Sequence, residues 1–140
     1  MDKHQKRIEA EYEIIEKTLK LLPSQSFSTL TDLELAGVAA LIHNFYNGIE
    51  NILKQVFQIK RIKIPEGASY HKELLLKAVT HNILSDELAD NLKAYLAFRH
   101  FFTHAYALDL KQEKFEPLLV DIISIFKNFK KEIAETLTDI

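Results

Sequence analysis

The chain contains no cysteine. Disulfides, thiolate metal ligands and a cysteine nucleophile are therefore excluded, and the absence fits a reducing compartment. Proline and glycine number three each among 140 residues. With so few turn formers the elements must be long, which favours helices over a many-turned β fold. No apolar run approaches the roughly 20 residues that a membrane-spanning helix needs. The opening stretch, MDKHQKRIEAEYEIIEK, is charged and helix-like rather than an apolar leader. These features lead us to expect a soluble, cytoplasmic protein with no membrane partner. A surplus of one charge is missing too: 18 basic against 20 acidic residues give a net charge of −2. Any RNA binding must then come from a local patch. The densest basic stretches are Lys60, Arg61 and Lys63, and Lys127, Lys130 and Lys131, and such runs are most often solvated surface. No glycine-rich phosphate loop occurs, which argues against NTP hydrolysis or nucleotidyl transfer by this chain.

What is present is hydrophobic periodicity. Hydrophobic residues make up 47% and charged residues 27%, enough for one domain, 1–140, with a core of its own. Ile8, Tyr12, Ile15, Leu19 and Leu22 recur at spacings of four and three and predict a helix from Asp2 to Leu22, stopped by Pro23. Thr31 and Glu34 have the spacing of a capping box. The apolar face that follows, from Leu35 through Phe45 and Ile52 to Val56, predicts a second helix to about Ile59, closed by KIPEGAS. It would span about 45 Å. A shorter helix is expected from about Tyr70 to Asn82. A fourth begins at Ser85 or Asp86, with Leu88, Leu92, Tyr95, Arg99 and Phe102 on one side. The last is expected to start near Phe115, with Pro117 in its first turn, and to run through Ile133. It carries a second apolar row, Leu119, Ile123 and Phe126, beyond what one core needs, and a homodimer contact is the simplest explanation. The expected fold class is all-α: an antiparallel helical bundle of four long helices and one short one.

Late in the fourth helix stands RHFFTHAY, residues 99–106. Arg99, Phe102 and Tyr106 share one side of an ideal helix, and His100 and His104 a neighbouring one. Arg99 and His104 are then roughly 140° apart about the axis. Either the helix loosens there or a symmetry-related copy completes the site. Arginine is a fixed cation whose fork of donors suits phosphate oxygens. Histidine suits proton transfer near neutral pH. Together, without a metal, they are the minimum for cleaving RNA through its own 2′-hydroxyl. Helix-end residues that merely bind C-terminal carbonyls are the plainer alternative.

The order arginine, four residues, histidine, one residue, tyrosine resembles the active-site motif of the HEPN superfamily. It is most similar to the HepT branch, ribonuclease toxins paired with an MNT-type nucleotidyltransferase antitoxin in a type VII-like system. The resemblance covers nearly the whole chain: its length, its helical layout, the long second helix and the late position of the motif. It implies that Arg99 is the phosphate-contacting catalytic arginine and His104 the general acid–base. His100 stands where many family members have asparagine or another polar residue, and would bind substrate or orient its neighbours. Tyr106 matches the tyrosine that the partner enzyme modifies with AMP, which would repel RNA and occupy the arginine. The resemblance further implies a homodimer, an RNA substrate such as tRNA or mRNA, and no metal or other cofactor. The alternative from another class is a non-catalytic HEPN-type bundle that binds a nucleotide or the nucleotidyltransferase.

Other constellations are weaker. His100 and His104 form an HxxxH half-site for zinc, whose third ligand could come only from distant His43, His71, His81 or a carboxylate. No Glu-x-x-His occurs, so a carboxylate di-iron bundle is unsupported. His43, Asn44 and Tyr46 could form a polar layer beneath the site, although such residues more often lie at a core edge. Tyr70 and His71 could line an RNA path or simply open the third helix.

Overall fold

The computed structural model describes residues 2–23, 29–104 and 112–138. Helix α1 (Lys3–Lys20) starts where the Asp2 carboxylate accepts the Gln5 N–H at 2.8 Å. It turns Ile8, Tyr12 and Ile15 inward. Helix α2 (Asp32–Ile59) opens on the expected capping box. The Glu34 N–H donates to Thr31 Oγ1 at 3.1 Å, and the Thr31 N–H donates to the Glu34 carboxylate at 2.9 Å. Its end differs from expectation, since neither Pro65 nor Gly67 is needed to close it. The Ile62 N–H bonds the Phe57 carbonyl and the Arg61 N–H bonds the Gln58 carbonyl, a Schellman pair with Arg61 at φ 60°.

Helix α3 (Tyr70–Thr80) ends in the same way. Asn82 takes φ 59°, with bonds from Ile83 to Ala78 and from Asn82 to Val79. A short turn leads into α4 (Asp86–His104). Ser85 caps it: its hydroxyl accepts the Leu88 N–H at 3.1 Å and donates to Glu132 at 2.8 Å. Its own N–H donates to the same carboxylate at 2.6 Å.

The expected last helix is two helices, α5 (Gln112–Val120) and α6 (Ile122–Thr138), divided at Asp121. Pro117 lies well inside α5 rather than in a first turn. Proline supplies no N–H, so α5 lacks one internal bond in the turn before it, and the break at Asp121 falls four residues further on. The Asp121 carbonyl then accepts the Ile125 N–H to start α6. The second apolar row is split by this arrangement. Phe126 is buried in the core and Leu119 packs on its edge, while Ile123 and its neighbour Val120 are 54% and 77% exposed.

Helix α2 is the central rod, touching α1, α3, α4 and α5. Phe45 meets Tyr95 of α4 and Phe126 of α6 edge-on, with centroids 5.4 and 6.3 Å away. Gly48 permits the close approach of α1: a Cβ there would lie 2.7 Å from Ile15 Cγ1. Among the described residues all regular structure is helical, the bundle expected from the sequence with a sixth helix from the break. No described helix is long and apolar enough to cross a membrane.

Candidate functional site

Helices α3 and α4 form an antiparallel hairpin, so the first turn of α3 comes level with the stretch of α4 around Leu96 and Ala97, shortly before Arg99. Between them lies an open groove of about 730 Å3. Leu75, Leu76 and Val79 of α3 and Ala89, Leu96 and Ala97 of α4 form its apolar walls. The end beside the hairpin turn carries Asp86 and Asp90. Lys93, paired with Asp90 at 3.1 Å, also lines it, and the far end carries His71, Lys72, Arg99 and His100.

Arg99 is half-buried, and its Nε has no hydrogen-bond partner. Among the described residues no carboxylate forms an ion pair with it. Beneath it lie two residues of α2. His43 packs against Phe102 with the rings tilted by 33° and centroids 4.9 Å apart, its Nδ1 accepts from Asn47 at 3.4 Å, and its Nε2 is buried without a partner. Burial lowers the His43 pKa, and the Arg99 cation lowers it further. Tyr46 is fully buried and its hydroxyl makes no hydrogen bond of good geometry. Burial pushes its pKa well above the usual phenol value; Glu50 adds to this, and Arg99 pulls the other way. The polar layer beneath the site therefore consists of His43 and Tyr46, while Asn44 faces solvent.

Helix α4 stays α-helical to its last residue, His104, so it does not loosen between Arg99 and His104. The angle of roughly 140° between them stands within one chain. Thr103 bonds back to the carbonyls of Arg99 and His100, at 3.0 and 3.1 Å. His100 is exposed at the groove rim. The His104 side chain and Tyr106 lie outside the described residues. Of the four residues expected at the site, Arg99 and His100 are thus brought together on the groove. Among the described residues no three His, Asp or Glu side chains gather in a way that could hold a metal ion. Of the basic clusters, Lys130 is held by Glu16 at 3.3 Å and lies over the Tyr12 ring.

Sequence reasoning missed one pair. Glu50 of α2 is buried, and His71 Nδ1 lies 2.8 Å from each of its carboxylate oxygens. The signal was available: Tyr46, Glu50, Leu53 and Phe57 follow at spacings of four, three and four, so an acid sits on an apolar arc. Such an acid requires a partner, and His71 is on the helix packed against that arc.

Comparison with known proteins gives one family match: a model described as HepT-like protein covers residues 37–140, well over half of the chain. No curated protein and no solved structure matches.

Proposed function

The chain belongs to the HepT-like protein family, a group of HEPN toxin-type proteins generally related to ribonucleases, and from that premise we propose that it is a metal-independent endoribonuclease toxin. Arg99 would grip the non-bridging oxygens of the scissile phosphate and stabilise the charge of the five-coordinate phosphorus. The RNA 2′-oxygen attacks that phosphorus, the bond to the 5′-oxygen breaks, and His104 moves a proton in the exchange. The products are a 2′,3′-cyclic phosphate and a 5′-hydroxyl. His100, next to Arg99 at the groove rim, would hold the substrate. Tyr106 is the control point, where an MNT-type nucleotidyltransferase antitoxin adds AMP and so blocks the arginine. A homodimer acting in the cytoplasm is part of the same reading, because the second copy can supply a His104 to the Arg99 of the first.

The observation that carries this reading is Arg99 itself. It is a half-buried guanidinium at the basic end of a groove, with no described carboxylate neutralising it. A cation so placed suits an incoming phosphate. Incubation of the unmodified protein with cellular RNA in excess EDTA should give discrete cleavage with cyclic phosphate ends. Arg99→Ala should reduce cleavage by about 10²- to 10³-fold and His104→Ala by at least about 10²-fold, with helix content kept. Tyr106→Phe should cleave RNA yet escape AMP transfer. Absence of cleavage by a protein shown by mass spectrometry to carry no AMP would leave the non-catalytic binding bundle as the better account.

A further inference from the structure

One residue at the groove, His71, belongs to a titratable pair that the reading above does not use. Glu50 is 2% exposed, on an arc of α2 otherwise made of Tyr46, Leu53 and Phe57. Its two oxygens converge on a single atom, His71 Nδ1, at 2.8 Å each. An ionised carboxylate only accepts, so Nδ1 carries the hydrogen. In the neutral ring Nε2 is then an unprotonated acceptor, and no group among the described residues takes it up. His71 lines the groove with 22% of its side chain exposed. The Tyr70 ring covers it, centroids 3.9 Å apart, and Lys54 anchors the Tyr70 hydroxyl at 2.8 Å. The imidazole is thus held at its Nδ1 edge with Tyr70 tilted against it, and the ring borders the groove.

The pair also stands in the right place. His71, in the first turn of α3, borders the same cavity as Arg99 and His100 of α4. The buried Tyr46 is within electrostatic reach of both Glu50 and Arg99.

We infer that His71 is the general base of the RNA cleavage proposed above, with Glu50 as its positioning residue; the inference rests on that ribonuclease reading. His71 Nε2 takes the proton of the 2′-hydroxyl as the 2′-oxygen forms its bond to phosphorus. The bond to the 5′-oxygen breaks, and His104 returns a proton to that leaving oxygen. The Glu50 carboxylate keeps the ring in the tautomer that can accept, and stabilises the imidazolium that forms.

The test uses single-turnover cleavage of a short RNA by the full chain, with circular dichroism and RNA affinity measured on each variant. His71→Gln is expected to lose about 10²- to 10⁴-fold in cleavage while it still binds RNA and stays folded. A second substrate carries sulfur in place of the bridging 5′-oxygen, a leaving group that needs no proton. That substrate should restore cleavage by His104→Ala but not by His71→Gln. Cleavage by His71→Gln at the parental rate, or its rescue by the sulfur substrate, would overturn the assignment. Glu50→Gln should displace the pH profile of cleavage with RNA affinity kept; if it unfolds, His71→Gln and His71→Asn decide the matter. A parent protein that does not cleave at all would bring down the ribonuclease reading and the base with it. An active parent with an active His71→Gln would remove only the base.

Discussion

His43 and Arg99 interact electrostatically where α2 meets α4, and this sets how the layer beneath the site responds to acid. Burial first, and the arginine second, lower the His43 pKa below its ordinary 6.5. The unfolded chain therefore binds a proton at His43 that the folded chain refuses, over the window between the lowered value and 6.5. Stability is fully present above that window and falls as the pH drops through it. Thermal melts of the parent should shift downward between about pH 7 and pH 5, more steeply than those of His43→Gln. Arg99→Ala should reduce the difference by removing the second cause. Parallel melting curves for parent and His43→Gln would show that the ring is charged in the folded state as readily as in the unfolded one.

At the scale of the element, the start of α4 is what points the site helix. Ser85 satisfies the Leu88 N–H and ties the turn to Glu132 of α6 through two bonds. Ser85→Ala should therefore cost about 1 kcal/mol in chemical denaturation and hasten amide exchange in the first turn of α4. Unchanged exchange there would mean that packing of Leu88 and Leu92 holds the helix start without its cap. The opposite ends of α2 and α3 rest on a different device. Arg61 and Asn82 accept left-handed backbone, which costs a non-glycine residue about 1–2 kcal/mol, because two carbonyls find donors in return.

At the scale of the molecule, the homodimer proposed above would draw on the exposed Val120 and Ile123 at the α5–α6 junction, since Phe126 has joined the core. Light scattering is expected to return twice the chain mass of 16.2 kDa. Ile123→Glu should halve it and lower RNA cleavage in parallel. A dimeric mass that survives this substitution would place the shared surface elsewhere. The α5–α6 junction was misread from sequence because a proline in the first turn and a proline deep in a helix leave the same pattern of apolar spacing. Only the start of α5, set at Gln112, separates the two cases.

The sequence by itself determined whatever depends on neighbours a few residues away. The capping box of α2, the stripe of α1, the helical class of the fold and the spacing of Arg99 from His104 are all of this kind, since side chains three and four apart meet on one helix whatever surrounds it. The tertiary structure alone decided which polar residues share a space. His71 reaches Glu50 across 21 positions, and Ser85 reaches Glu132 across 47; no periodicity records such partners. The apolar arc announced that Glu50 needed a counterpart. Only the antiparallel folding of α3 along α4, against α2, determined that His71 would be that counterpart and would border the same groove as Arg99.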